Sequence, residues 1–292
     1  MGNLNQFYVE SINKVIDYIE KDLSEKYSLE QLSKIAGISP YHFHRIFKSI
    51  QNENLNDFII RLRLEKSLFL LRRTPINRMV EVALESGFSS SSAYNRSFKK
   101  HYGMSPIEYL NNIYDIDMKT GNHVPVITRT PIRKYEIKIQ TLSSKPIAYY
   151  RVHDSYNEEK WMKGYVELIN WAKRKEIINR NTRLIGMSID DPEVTPLDKC
   201  RYDIAITVEE PIESNGFIGA GIFNGGLTAA LHYKDTIDNL QEAYDYFFDE
   251  WLPRSRYKPR HLPAFEIYHE SPPKINFEQL NMDICIPIEL IN

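Results

Sequence analysis

Apolar residues recur at helical spacing through roughly the first hundred positions and gather into strand-like runs in the second half. Ser28 is a good N-cap, and Leu29, Leu32 and Ile35 after it predict a short helix. Gly37 is placed to end that helix in a left-handed conformation. Ser39 then caps a second helix, with Pro40 at its first position and Phe43 and Phe47 as a buried i, i+4 stripe. The pattern returns as Ile76, Met79, Val80 and Ala83, then Gly87, then a serine-rich start to a helix carrying Tyr94 and Phe98. Both second helices read Ser-x3-aromatic-x-Arg-x-Phe-Lys, Ser39 to Lys48 and Ser90 to Lys99, offset by 51 residues. A short helix, a glycine turn and a second helix with a polar outer face make a helix-turn-helix. A plain helical bundle with a duplicated hairpin is the alternative. Between the copies, Leu55 to Arg73 carries Leu or Ile at 55, 59, 62, 68, 70 and 71 with Arg and Lys interleaved. This predicts one long basic helix, stopped by Thr74-Pro75, that spaces two reading heads.

Periodicity disappears from Asp115 to Thr130. Met118 to Pro125 mixes Gly, Asn and Pro without an apolar stripe, so residues 113–130 read as a linker, with His123 a surface loop histidine. Residues 131–292 hold a second duplication, offset by 80. Trp171 matches Trp251, and Asp203-Ile204-Ala205-Ile206 matches Asp283-Ile284-Cys285-Ile286. Strand-like runs at Ile147–Val152 and Leu227–Tyr233 each lead into an amphipathic helix, Glu158–Lys175 and Ile237–Trp251. Two further strand-like runs follow each helix: Arg183–Ile189 and Tyr202–Val208, then Ala264–His269 and Met282–Leu290. The predicted architecture is two domains. Residues 1–112 form an all-α double helix-turn-helix domain, and residues 131–292 an α+β domain of two pseudo-symmetric strand-helix-strand-strand repeats with a cleft where they meet. Such junctions favour ligand pockets.

Composition changes this picture little. Hydrophobic residues make up 42 % and charged residues 26 % of the 292, the balance of an ordinary globular protein. The net charge of −2 hides an asymmetry. Residues 1–112 carry 15 basic against 12 acidic side chains, and residues 113–292 carry 22 against 27, which fits a phosphate-binding module joined to something else. The N-terminus lacks the basic start and apolar run of a signal peptide, and no window is apolar enough to span a membrane. Cys200 and Cys285 are too few for a disulfide framework and read as free core thiols. A cytoplasmic location follows as an expectation. No Cys/His spacing suggests a metal, and no phosphate loop or nucleophile elbow predicts a cofactor or an enzyme.

Position on each second helix selects the candidates for base contact. In the first copy these are Pro40, Tyr41, His44 and Arg45, and in the second Ser91, Ser92, Asn95 and Arg96. Arg suits guanine, Asn suits adenine and Ser is permissive. Lys48, Lys99 and Lys100 are placed to touch phosphates, and the predicted partner is double-stranded DNA.

Residues 8–112 resemble the AraC/XylS DNA-binding domain. The second copy carries the closest pattern: Ala83, Gly87-Phe88, Tyr94, Arg96, Phe98-Lys99-Lys100, Gly103, Ser105-Pro106 and Tyr109. The first copy departs, with Ser33 where the family prefers Ala and Asn54 where a Gly often sits. The resemblance implies a sequence-specific transcription regulator, an activator, that meets RNA polymerase and reads an asymmetric site with one chain. Residues 131–292 resemble the GyrI-like effector-binding domain through Gly186 to Pro192, Cys200 to Asp203, Trp251-Leu252-Pro253, Glu266-x-Tyr268 and Ile286-Pro287. That resemblance implies a small-molecule effector, often an organic cation, held by a glutamate in an aromatic cleft. The glutamate maps onto Glu266, with Tyr268, Tyr149 and Trp161 as aromatic neighbours. The departure at Asn224 to Leu227, where relatives carry a basic or aromatic residue after the glycines, leaves the ligand class open. So do two alternatives: a protein ligand for this half, and a hydrolase with Glu266 as general base.

Overall fold

The computed structural model describes residues 2–71, 78–111, 135–192, 195–270, 272 and 274–291. The chain divides into two compact units, Met1–Arg129 and Thr130–Asn292. The expected linker over 113–130, His123 and the helix stop at Thr74-Pro75 lie outside the described residues.

The described part of the first unit is helical throughout: α1 (Gly2–Lys21), α2 (Leu29–Ala36), α3 (Pro40–Gln51), α4 (Leu55–Leu71), α5 (Met79–Glu85) and α6 (Ser91–Tyr102). A further helical stretch over 106–111 opens with a reciprocal capping box between Ser105 and Glu108. Ser28 Oγ accepts the Gln31 N–H at 3.1 Å, as the sequence predicts, and at the serine-rich start of α6 Ser90 Oγ accepts the Ala93 N–H at 3.1 Å. Ser39 occupies the N-cap position in extended conformation, but its side chain makes no cap hydrogen bond. Pro40 at the first helical position removes one N–H that would otherwise need a partner.

The two turn glycines differ in what they do. Gly37, at φ +66°, supplies only a left-handed turn, for nothing lies within 4 Å of where a Cβ would sit. Gly87, at φ +94°, also lets the second turn press on the loop between α1 and α2: a Cβ there would lie 2.0 Å from the Leu23 carbonyl oxygen. The same carbonyl accepts from Arg63 Nε at 2.8 Å, and the Glu25 carbonyl accepts from Arg63 Nη2 at 2.8 Å.

The long helix expected between the two copies forms as α4, with two of its arginines engaged in internal contacts. Arg61 of α4 is buried and paired with Glu53 and Glu65, each at 2.8 Å, and Arg63 holds the α1–α2 loop. The Arg61 guanidinium is buried, and the half-buried Arg63 guanidinium donates to two loop carbonyls. The apolar stripe of α5 also differs from expectation: Val82 and Ala83 are buried and Val80 is exposed. The core of the first helix pair joins Ile12, Ile16 and Ile19 of α1 with Leu32, Phe43, Phe47 and Phe58, each fully buried. Each such side chain contributes about 1.5–3 kcal/mol.

The described residues of the second unit form a nine-stranded antiparallel array: β1 (Ile137–Leu142), β2 (Lys145–His153), β3 (Leu184–Ser188), β4 (Arg201–Thr207), β5 (Ile218–Phe223), β6 (Gly226–Asp235), β7 (Tyr257–Pro259), β8 (Ala264–Tyr268) and β9 (Leu280–Leu290). The spatial order is β1-β6-β9-β8-β3-β4-β2-β5, with β7 paired to β9. Exchanging the repeats reverses this order onto itself, so a pseudo-twofold axis passes between β3 and β8. Three strands escaped the sequence reading. β5 contains Gly219 and Gly221, which depress β propensity. β1 is largely exposed, and β7 is three residues long. With β1 and β5 included, each repeat is strand-strand-helix-strand-strand, and its first strand crosses to pair with the other repeat.

The helices are α7 (Glu158–Arg174) and α8 (Leu240–Asp245). The helix expected over Ile237–Trp251 is a 3-10 turn, then α8, then a π-helical turn at Tyr246–Trp251. Tyr165, Leu168, Ile169, Trp171 and Ala172 of α7 share one core with Ala243 and Phe247. That core also takes Ile204, Leu231, Tyr268 and Ile284 from the sheet face the helices cover. The other face carries a second cluster, with Tyr149, Ile185, Phe265 and Cys285 buried. Cys200 and Cys285 are both buried, as the sequence suggests.

Candidate functional site

On α3, Phe43 and Phe47 are buried while Pro40, Tyr41, His44, Arg45 and Lys48 are exposed. Tyr41 is the most open of the large apolar side chains, at 71 %. On α6, Tyr94 and Phe98 are buried; Ser92, Asn95, Arg96, Lys99 and Lys100 are exposed and Ser91 is half-buried. Tyr41, His44, Arg45 and Lys48 follow the i, i+3, i+4, i+7 spacing of one helical face. The 51-residue offset carries them onto Ser92, Asn95, Arg96 and Lys99. The two faces therefore share their Arg and Lys positions and differ in the residues that hydrogen-bond or pack: Tyr and His against Ser and Asn. Lys99, Lys100 and His101 crowd the last turn of α6, where positive charge also complements the helix dipole.

The second candidate site is built around Glu266. Alternation along β8 places Ala264, Glu266 and Tyr268 on the helix-covered face and Phe265 and Ile267 on the other. Glu266 is only 4 % exposed. Its Oε2 accepts from the Tyr202 hydroxyl at 2.7 Å, and its Oε1 accepts from the Tyr244 hydroxyl. Burial pushes the Glu266 carboxyl above the usual carboxylate range, and the tyrosine hydrogen bonds pull it part of the way back. Burial and the neighbouring carboxylate push the hydroxyls of Tyr202, Tyr244 and Tyr268 upward, so these remain phenols. Among the described residues no Lys, Arg or His pairs with Glu266.

An aromatic wall stands beside this carboxylate. Trp161 stacks on Tyr165 at 5.9 Å, meets Phe277 edge-on at 5.0 Å and lies 6.4 Å from the Tyr202 ring. Tyr268 is buried next to Phe277. Trp161 and Tyr268 thus belong to the neighbourhood of Glu266, and Tyr149 does not. Tyr149 pairs with Ala205 and Gly219 and points to the opposite face, beneath the Arg151 guanidinium at 5.2 Å. The one-residue step of a strand decides this, and Tyr150 is the member of that pair on the Glu266 face.

Comparison with known proteins bears on both sites. A model described as a GyrI-like small molecule binding domain matches residues 135–289, more than half of the chain. The chain belongs to the GyrI-like family. A helix-turn-helix domain model of the AraC type matches residues 32–112 ahead of this GyrI-like domain. The probable transcriptional regulator LumQ of Photobacterium leiognathi is 34 % identical over 105 residues, 35 % of this chain and 41 % of LumQ. The HTH-type regulator YbfP of Bacillus subtilis is 34 % identical over 103 residues, 35 % of each chain. The chain thus spans well under half the length of these curated relatives. Among solved structures, EcmrR in its DNA complex aligns with 91 % of this chain and all of its own, at 16 % identity and a TM-score of 0.44. No helix among the described residues is long and apolar enough to cross a membrane.

Within the GyrI-like domain, three residues at the Glu266 site were not assigned to it from the sequence: Gly186 and Tyr202 fell only within the family pattern and the strand-like runs, and Tyr244 was not singled out. Tyr202 and Tyr244 supply both hydrogen bonds to Glu266, from 64 and 22 positions away. Gly186 leaves the space that the Tyr202 hydroxyl occupies: a Cβ there would lie 1.7 Å from that hydroxyl and 2.7 Å from Glu266 Oε2. The 80-residue offset was the available signal, because it carries position 186 onto 266.

Proposed function

We propose that this GyrI-like protein is a sequence-specific DNA-binding transcription regulator, acting as an activator, whose C-terminal domain binds a small organic cation. The reading rests on one observation above the others: two helices with a serine at the N-cap position and the same buried stripe expose Arg45 and Arg96, with Lys48 and Lys99, at one repeat offset. Arg45 and Arg96 are assigned to guanine edges and Asn95 to adenine. Lys48, Lys99 and Lys100 are assigned to phosphates. Tyr41, His44, Ser91 and Ser92 complete the two contact faces, and Pro40 sets the start of the first. RNA polymerase is the partner that an activator of this type engages, and regulation of this kind requires no chemistry at Glu266.

The effector assignment rests on the buried Glu266 carboxylate, ringed by phenols and without a cationic partner among the described residues. A charge so placed is costly unless a partner compensates it. A lipophilic cation supplies the charge, and the faces of Trp161 and Tyr268 add cation–π attraction. Aromatic side chains cover the carboxylate, so a ligand enters by displacing part of the wall that Trp161 and Phe277 form.

The test uses the full chain. DNA sites are selected from random sequence, and binding is measured by mobility shift in rising salt. A selected site with two half-sites about one helical turn apart and a steep loss with salt supports the reading. Equal affinity for all sequences refutes it. A panel of aromatic cations and neutral isosteres, titrated against Trp fluorescence, tests the effector part. Binding of the neutral compounds alone refutes that part.

A further inference from the structure

On the face of the sheet away from Glu266, three metal-ligating side chains converge. His232 on β6 is the direct cross-strand partner of Asp283 on β9. His269 follows β8 immediately, and its backbone N–H donates to the Asn281 carbonyl at 3.0 Å, which registers it beside β9. Asp283 Oδ1 lies 3.1 Å from His232 Nδ1 and 2.9 Å from His269 Nε2. One donor atom from each residue lies within 4.8 Å of the other two. The imidazole rings are 5.1 Å apart and nearly perpendicular, and both are exposed while Asp283 is half-buried.

We infer that His232, His269 and Asp283 form a binding site for a divalent first-row transition metal ion, with zinc the ion the donor set suits best. Ligands about 2.0–2.1 Å from a tetrahedral zinc lie roughly 3.3 Å from one another. The two nitrogen–oxygen separations fall a few tenths of an ångström short of this, so an ion replaces the two hydrogen bonds with small side-chain rotations. Two imidazole nitrogens and one carboxylate oxygen select a borderline ion over magnesium or calcium, which demand oxygen shells. The donors stand on adjacent, paired strands, so little backbone freedom is lost on binding. Their exposed side leaves the remaining coordination positions to water.

The repeat supplies an independent comparison. Asp203 is the counterpart of Asp283 and faces Arg151 across its strand pair, bound at 2.8 Å and 2.7 Å. The strand position that holds a permanent cation in the first repeat holds an imidazole in the second, with another imidazole beside it. A bound ion gives Asp283 the positive partner that Arg151 gives Asp203. The ion would sit behind the same strands, β8 and β9, that carry Glu266 and its paired Ile284.

The test uses the full chain stripped with EDTA. Zinc chloride titrated by calorimetry is expected to bind one ion per chain in the micromolar range. The His232→Ala/His269→Ala double variant is expected to lose at least about tenfold in affinity, since even outer-shell partners of metal ligands are worth that much. His44→Ala, on α3, is expected to bind zinc as the unsubstituted chain does. Copper(II) loaded into the unsubstituted chain is expected to show hyperfine coupling to two nitrogens by electron paramagnetic resonance. Absence of micromolar zinc binding, full binding by a folded double variant, or a copper spectrum without two coupled nitrogens overturns the inference. The copper spectrum decides alone if the double variant does not fold.

Discussion

Gly186 and Glu266 face each other across the antiparallel pair β3–β8, and they are separated by the same 80 residues that relate the two repeats. The pseudo-twofold axis therefore runs between them. At a symmetric position of this kind both side chains would compete for one volume. The chain resolves the competition by giving one repeat a carboxylate and the other no side chain. The vacated space is filled by the Tyr202 hydroxyl, which donates to Glu266.

Gly186→Ala tests that relationship. The added methyl would overlap the Tyr202 hydroxyl, so the tyrosine must swing away from Glu266. The expected cost is about 1–3 kcal/mol in unfolding free energy, the scale of overpacking. Chemical denaturation measures it. The double change Gly186→Ala/Tyr202→Phe should cost less than the sum of the single changes, because removing the hydroxyl relieves the clash. Additive costs would show that the two positions do not compete.

Glu266→Gln keeps the shape of the side chain and removes its charge. Affinity for organic cations should fall by on the order of 1–3 kcal/mol, with neutral isosteres affected far less. The pH dependence follows from the raised carboxyl pKa of Glu266. Because the folded value lies above the unfolded one, this group stabilises the fold below the ordinary carboxylate range, and that contribution is lost as pH rises through the folded value. Cation affinity runs the opposite way and should climb over the same interval as the carboxylate ionises. Calorimetry in buffers of different ionisation enthalpy should detect proton release on cation binding at the acid end. Affinity independent of pH would remove the carboxylate from the site.

Arg45→Ala and Arg96→Ala should each cost roughly 1–3 kcal/mol on a selected DNA site. Base-substitution scans should place the two losses about one helical turn apart. Lys100→Ala should weaken specific and non-specific DNA about equally. Arg61→Ala should act differently: its guanidinium is buried against Glu53 and Glu65, so the variant should lose stability by about 3–5 kcal/mol. Both losses mapping to one base position would refute a two-headed reader.

His153 predicts an acid-side instability. Burial, reinforced by the charges of Arg151 and Arg201, holds its imidazole down at about 3, with Asp190 opposing and Lys160 adding slightly. A folded value below the unfolded one means that the unfolded chain binds the extra proton. Stability from this group is present above the ordinary histidine range and is lost as pH falls from there toward about 3. The slope approaches about 1.4 kcal/mol per pH unit. His153→Leu should flatten the curve by one proton, and an unchanged slope in urea unfolding from pH 7 to pH 4 would disprove it.

The sequence by itself determined whatever depends on short-range period and on repetition. Caps at Ser28 and Ser90, glycines at 37 and 87 and stripes at Phe43/Phe47 and Tyr94/Phe98 lie within a few residues of each other, so local physics places them. The 51- and 80-residue offsets announced two reading helices and two α+β repeats. Alternation along β8 put Glu266 and Tyr268 together. Contacts between distant strands belong to the tertiary structure alone. It took the charge of Arg61 into the helical core, tied Arg63 to the α1–α2 loop, moved Tyr149 to the face away from Glu266, and brought Tyr202 and Tyr244 to that carboxylate. It also assembled His232 of β6, Asp283 of β9 and His269 at the end of β8, where no spacing pattern in the chain could show them. The physical reason is register: cross-strand neighbours are set by which strands pair and by how far each slides, and one residue of slip moves every side chain to the opposite face.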